Sequence, residues 1–472
     1  MAEQKLDQRT LKKNMVFAFL AQGVALVLSL LMTLVLPKIL NVTEYGYWQL
    51  FLFYVSYAGL FHFGLNDGVY LRFGGLDYKN LNHALLGTEL KIWTLFQSIL
   101  AAIIVLIGIF SLEDVNRIFV FVAFAVFMVF YNSSYFIGYV FQAVNRTRIF
   151  SLADMLNRGA FILCLFGLIL CGMDRFEVFV CFYLLCLICS VVFYLYCGRD
   201  IVFSAFVGWR KGLREIMKNV SVGIKLLIAN LAGMLILGIG RIMIDYLWGI
   251  ESFGKVSFSL TLTNFFLVFI AQVSMVLFPA LRQIDAAAQK RYYGEIDAIL
   301  SLLLPLILVF YVPIKTVLSL WLPQYAVSLD YLAVLLPLCL FDGKMQLLCT
   351  TYFKVLRKEK ALLYVNLAAF FLSLLLSVIG GFLLKSVDAI VFAMLIGVVS
   401  RYVISACYLS RYLPGQSWTI LGTELTFAAV FIAVSLKLPD IWSFLSVTVL
   451  YLFYLFYNRT QAKTVWRRLL QR

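Results

Sequence analysis

Charge is the first thing this chain lacks. Only 13% of its 472 residues are Lys, Arg, Asp or Glu, while 63% are apolar. Soluble domains carry about 25% charged and about 45–50% apolar residues, so a string of soluble domains is excluded. Histidine is almost missing: His62 and His83 stand in separate segments near the inner face, and no histidine-based catalytic or metal constellation forms in the sequence. Long polar connections are absent as well. The longest, 198–219, leaves no room for an extramembrane domain. No strand-like alternation over ~10 residues is visible, which excludes a β-barrel. The nine cysteines make no disulfide framework, because seven (Cys164, Cys171, Cys181, Cys186, Cys189, Cys339 and Cys349) fall in or at the edge of apolar runs. There cysteine serves as a small apolar residue. The pair Cys186 and Cys189 has redox-motif spacing, but its flanks, YLLCLICSVVF, are those of a lipid-facing helix.

What is present is long apolar runs. At ~20 residues per span, the chain divides into about fourteen candidate transmembrane helices between residues 15 and 457. The fold class is therefore all-α, a polytopic membrane protein. The first run, Met15 to Leu36, is too long for a signal-peptide core and is followed by no small-residue cleavage site, so it reads as a retained span. With the N-terminus in the cytoplasm, 28 Lys and Arg fall on the inner side and 7 on the outer. Four more, Lys91, Lys225, Lys315 and Lys344, lie within spans. This asymmetry places both termini, including the basic tail Arg459 to Arg472, in the cytoplasm. It also accounts for the net charge of +15 as anchorage to an anionic leaflet, not nucleic-acid binding. The stretch Arg199 to Asn219, RDIVFSAFVGWRKGLREIMKN, mixes Trp and Phe with Lys and Arg. It reads as an amphipathic helix along the cytoplasmic interface, the alternative being a plain basic loop.

The chain contains a short internal repeat. Asn41-Val42-Thr43-Glu44-Tyr45-Gly46 follows the first span, and Gly249-Ile250-Glu251-Ser252-Phe253-Gly254 follows the seventh, 208 residues later. Six helices lie between, so both halves begin in the same orientation, as in transporters built from parallel repeats. The expected division is an N-lobe, 1–219, a C-lobe, 220–410, and two further helices with the tail, 411–472. Gly249 to Lys255 also fits the start of a phosphate-binding loop, but Val256 stands where a hydroxyl should be and no strand precedes it.

Ionisable residues near the centre of a span cost roughly 2.5–3.5 kcal/mol each on insertion scales and usually face a partner or a cavity. In span 331–353, Asp342 and Lys344 lie near the midplane. Two residues apart, they point to opposite sides of a helix, and Pro337 and Gly343 are positioned to break it. In span 220–245, Lys225 lies near the inner end, while Arg241 and Asp245 lie near the outer end with the spacing of a local pair. A straight helix separates Lys225 from Arg241 by about 24 Å. Near the inner end of span 47–65, Asp67 and Arg72 flank an inward-facing mouth, with Gly64 and Gly68 permitting close helix approach. Lys91, Lys315 and Glu424 lie nearer span ends, where snorkelling accounts for them.

The opening NMVFAFLAQGVALVLSLLMTLVLPKILNVTEYG, the later FGLNDGVYLRF and the span pattern resemble the polysaccharide exporters. These are the O-antigen flippase type within the multidrug/oligosaccharidyl-lipid/polysaccharide (MOP) superfamily. The resemblance implies two six-helix lobes plus two helices in the bacterial cytoplasmic membrane. It also implies alternating-access translocation of an undecaprenyl-diphosphate-linked oligosaccharide, driven by H+ or Na+, beside a glycan polymerase and a chain-length regulator. On that reading Lys344, Lys225, Arg72 and Arg241 are the diphosphate candidates, and Asp342, Asp67 and Asp245 the coupling or gating candidates. No cofactor or metal is expected. Related lipid II flippases carry arginines in the first helix, whereas nothing basic lies between Lys13 and Lys38 here, which points away from lipid II as cargo. The alternatives are a drug/cation antiporter of the same superfamily and a membrane glycan polymerase or ligase.

Overall fold

The computed structural model describes residues 8–282, 286–413 and 418–458; the basic tail beyond lies outside them. Nearly all of the described chain is helical, without a strand. Among the described residues eleven helices are long and apolar enough to cross a membrane, or up to twelve when a bent pair is taken as one span. The protein is thus an all-α, multi-pass membrane protein. The sequence divides the chain more finely. Its span 47–65 falls on Val42–Tyr57, a helix of 16 residues, or about 24 Å against a hydrocarbon core of about 30 Å. Its spans 220–245 and 256–278 fall on one run, Trp209–Arg282, broken at Gly249 with φ 77° and ψ −176°. That backbone region is essentially open to glycine alone.

The chain forms two compact units, Met1–Leu231 and Ala232–Arg472. The division falls inside the long helical run, twelve residues beyond the expected boundary at 219. In the first unit, antiparallel neighbours follow from short connections: His83–Ser111 packs on Val115–Ala143, and Thr147–Leu170 on Phe176–Cys197. Local polar residues start these helices. The Asn41 side chain accepts from the Glu44 amide at 2.9 Å, Asn82 from Leu85 at 3.0 Å and Asp114 from Asn116 at 2.9 Å, each satisfying an otherwise unpaired donor. The repeat segment NVTEYG is therefore a helix start. Its Glu44 also reaches the amide of Phe176 at 2.7 Å, capping a second helix, and Tyr45 is fully buried. In the second unit, Phe253 at the matching repeat position is buried.

Proline shapes the second unit. Pro305 has no N–H for the Ser301 carbonyl, and the Tyr454 hydroxyl donates to that carbonyl instead at 2.9 Å, with Tyr451 bonding the next one, Leu302, at 2.8 Å. The helix Asp440–Tyr457 is thereby fixed to the break it repairs. At Pro337 the segments Pro323–Leu335 and Leu338–Val355 bend by 46°, the interruption anticipated from the sequence. A π-helical turn, Met345–Thr350, follows directly on Lys344.

Candidate functional site

The densest charge in the second unit surrounds Lys344. Its Nζ donates to Asp297 at 2.8 Å, Ser301 at 2.7 Å and Glu424 at 2.5 Å. Lysine has three N–H donors, so all are engaged and none is left for a diphosphate. The expectation that Lys344 faces cargo is corrected on that ground. Glu424 is corrected too: it is completely buried beside Lys344 and does not snorkel. One ammonium faces two carboxylates, and Glu424 Oε2 has no hydrogen-bond partner among the described residues. The closed pocket therefore lacks one positive charge for neutrality, if both acids are ionised.

Asp342 points elsewhere, as the two-residue spacing requires. It pairs with Arg401 Nη1 at 3.3 Å and accepts from Gln346 at 2.7 Å, while Arg401 Nε donates to Asn366 at 2.8 Å. Arg401 lies within the helix Val387–Ser410 and is no cytoplasmic loop charge. Arg158 likewise lies within Thr147–Leu170. With the N-terminus placed inside, as the sequence reading has it, the inner total of basic residues falls from 28 to 26, against 7 outside. A Cβ on Gly233 would stand 3.3 Å from Arg401 and 3.4 Å from Asn366, so the small residue makes room for the pair.

In the first unit Arg72 does not pair with Asp67. It bonds Asn219 at 2.5 Å and Glu215 at 3.0 Å, and Glu215 also holds Lys218. Asn219 donates to the buried Glu89 at 2.7 Å. Asp67 instead lies 3.9 Å from His62. The predicted close approach at Gly64 and Gly68 is present, and its partner is the segment 219–223. A Cβ on Gly68 would fall 1.9 Å from the Asn219 carbonyl oxygen, and one on Gly223 would fall 1.9 Å from that of Gly64.

The remaining candidates separate. Lys225 is exposed. Arg241 reaches across the Gly249 break to the Ser257 hydroxyl at 2.9 Å and lies 4.9 Å from the centre of the Phe253 ring, which makes it a staple of that turn. Asp245, one helical turn on, is partly exposed. Sequence reasoning missed Asp297, Glu89 and the mid-helix pair Asp154–Arg158. The signal for that pair was available, since Asp154 and Arg158 have i, i+4 spacing. It was lost because the expected span began at 156, nine residues after the helix starts at Thr147.

Among the described residues no His, Cys, Asp and Glu group fits a metal ion. The phosphate-loop pattern at Gly249 is a helix break leading into another helix.

No protein-family model matches the sequence, and no curated protein matches it. Solved structures do. The structure described as lipid II flippase MurJ, inward closed conformation, superposes with a TM-score of 0.67 at 10% identity, covering 97% of this chain and 99% of that one. An inward-facing multidrug resistance MATE family transporter of the MOP superfamily gives 0.58 at 13% identity, covering 84% of this chain and 100% of that one. A MOP superfamily transporter from Pyrococcus furiosus gives 0.51 at 12% identity, over 91% and 97%. The chain has the fold of the MOP superfamily transporters.

Proposed function

We propose that the chain is a transporter, not an enzyme, and that it flips an undecaprenyl-diphosphate-linked oligosaccharide from the inner to the outer leaflet of the bacterial cytoplasmic membrane. The carrying observation is coverage. The likeness to a lipid II flippase runs through 97% of the chain, whereas the fully covered multidrug transporter accounts for 84%. On this reading the last helices, Trp418–Lys437 and Asp440–Tyr457, are the two-helix addition expected from the sequence. The sequence resemblance to O-antigen exporters supports the same cargo class, and the absence of basic residues from Asn14 to Pro37 argues against lipid II itself.

On this reading the exposed Lys225 makes early contact with the diphosphate at the inner side. The coupling ion, H+ or Na+, belongs with the carboxylates of the second unit. A proton or one monovalent cation balances the pocket of Asp297, Lys344 and Glu424, and Asp342–Arg401 is the neighbouring pair. Both termini face the cytoplasm.

The test is deletion of the gene followed by extraction of undecaprenyl-linked glycans. Complete repeat units held on the inner leaflet, with loss of surface glycan, are expected. Single units accumulating on the outer leaflet would mean that flipping persisted and polymerisation had failed. Unchanged surface glycan would overturn the reading in favour of the drug/cation antiporter.

A further inference from the structure

Arg158 lies eleven residues from Thr147 and twelve from Leu170 in its helix, about 16–18 Å from either end. At that depth an arginine needs a partner or a water-filled face. It has one protein partner, Asp154, and both contacts are made through Nε, at 3.1 Å to Oδ1 and 3.0 Å to Oδ2. The two Nη nitrogens have no partner among the described residues, and the side chain is 38% exposed. A guanidinium fork held from one side and open on the other is a preset donor pair for an oxyanion.

Tyrosines lie on the two helices that pack against this one, Val115–Ala143 and Phe176–Cys197. Tyr131, Tyr135 and Tyr139 follow one another at four-residue spacing on Val115–Ala143, so they share one helix face. The Tyr131 and Tyr135 rings lie 4.0 Å apart, and Tyr183 of Phe176–Cys197 lies beyond Phe127, 6.0 Å from it. Phe150, Asp154 and Arg158 follow one another at four-residue spacing on Thr147–Leu170 and share a face; the Tyr135 ring lies 5.6 Å from that of Phe150, and the Tyr183 ring 5.1 Å from that of Phe161, three residues past Arg158. Each of the four tyrosines is only partly buried, and none of their hydroxyls has a hydrogen-bond partner among the described residues. Packing alone would be served by phenylalanine, as at Phe127 in the same row. Three hydroxyls without a protein partner among the described residues, on Tyr131, Tyr135 and Tyr183, and an open guanidinium leave polar groups on this face for a ligand to engage.

We infer that Arg158 and the tyrosine row form a binding site for an oxyanion attached to a sugar. Arg158 Nη donates to the oxyanion, and the rings and hydroxyls of Tyr131, Tyr135 and Tyr183 receive the adjoining sugar. The nature of this ligand rests on the flippase reading. The oxyanion belongs either to the diphosphate or to an acidic sugar, and the same donors serve both. Asp154 orients the fork and also offsets its charge. That suits a transporter, whose site must bind well enough to load and weakly enough to release.

The experiment measures binding to the purified full chain in detergent, with farnesyl diphosphate, farnesyl-diphosphoryl-N-acetylglucosamine and a glucuronic-acid disaccharide as probes. Arg158→Gln and Arg158→Lys are compared with Tyr135→Phe and Tyr135→Leu, and each is accepted only if it elutes as a monodisperse species. Arg158→Gln should weaken an oxyanion probe about ten- to a hundredfold, the range of a charge-assisted hydrogen bond. Arg158→Lys should restore part of the loss. Tyr135→Leu should weaken the glycosylated diphosphate more than the bare one. A loss confined to the two diphosphates assigns the oxyanion to the diphosphate; a loss confined to the disaccharide assigns it to an acidic sugar. Wild-type binding that no Arg158 variant alters overturns this site and leaves the flippase reading standing. Failure of the wild type to bind any probe overturns both.

Discussion

Glu424 meets the Lys344 ammonium at 2.5 Å in a pocket that leaves the lysine side chain 1% exposed and the glutamate 0%. Asp297 completes the group at 2.8 Å from the same nitrogen. Three helices from distant parts of the sequence are thus tied by one charge: Ala286–Leu303, Leu338–Lys344 and Trp418–Lys437. The late helix Trp418–Lys437 is held to the second unit by this contact, as Asp440–Tyr457 is by its tyrosines.

Removing the lysine should be far worse than removing one acid. Lys344→Met leaves two buried carboxylates without a counter-charge, and breaking a buried pair in this way costs about 3–5 kcal/mol. Glu424→Gln keeps the size of the side chain and leaves Lys344 balanced by Asp297. The melting temperature of the purified protein in detergent should fall steeply for Lys344→Met and stay level or rise for Glu424→Gln. Equal losses in both would show that the second carboxylate is required for stability. If Glu424→Gln is stable yet fails to restore surface glycan in the deletion strain, its role lies in the transport cycle.

Asp342 and Arg401 should behave as a coupled pair. Either neutral variant alone strands its partner within the helices, whereas Asp342→Asn with Arg401→Gln leaves no net charge there. A double-mutant cycle on thermal stability should give a coupling of about 0.5–3 kcal/mol, the range for residues in one network. Additive losses would mean that Asn366 and Gln346, which also bond them, carry the stabilisation separately.

The crossing of 64–68 with 219–223 rests on backbone contact. Gly68→Ala puts a methyl group 1.9 Å from the Asn219 carbonyl oxygen and 2.5 Å from its carbon, and backbone cannot step aside as a side-chain end does. Overpacking of this kind costs about 1–3 kcal/mol, sometimes more. It also pushes Asn219 off Arg72 and Glu89. Gly167→Ala, with nothing within 4 Å of the added methyl, is the control and should gain up to about 1 kcal/mol as alanine replaces glycine in a helix. Thermal melting of both variants checks the contrast; equal midpoints would mean the two segments separate freely.

The class of the protein was legible because it depends on composition, which is a property of the whole chain. Single charges were harder to place, for a physical reason: apolar runs blur where a helix begins. A start set at 156 in place of Thr147 put Arg158 at the membrane surface, and Arg401, inside the expected span 388–409, was counted with the inner-side charges. Pairing was harder still. Lys344 and Asp342 announce themselves as central charges, but nothing local in the sequence says that Lys344 bonds Asp297, 47 residues back, and Glu424, 80 residues on. The close approach of Gly64 and Gly68 was visible as small residues near a span end, while the segment they meet was not.

Orientation can be read directly at two sites of the same helical run. Lys211 is exposed near the start of the run Trp209–Arg282, and Glu251 is exposed just past the Gly249 break. The expected span 220–245 lies between them, so on this reading they stand on opposite sides of a hydrocarbon core about 30 Å thick. The nine native cysteines carry no disulfide among the described residues, and a variant with all nine replaced is the background. In intact cells a membrane-impermeant maleimide should label Glu251→Cys and spare Lys211→Cys, which should react once the membrane is permeabilised. The reverse pattern would place the N-terminus outside. The basic residues flanking the spans would then violate the charge asymmetry that orients membrane proteins, and Lys225 would sit on the side where a lipid-linked glycan is released, not where it is loaded.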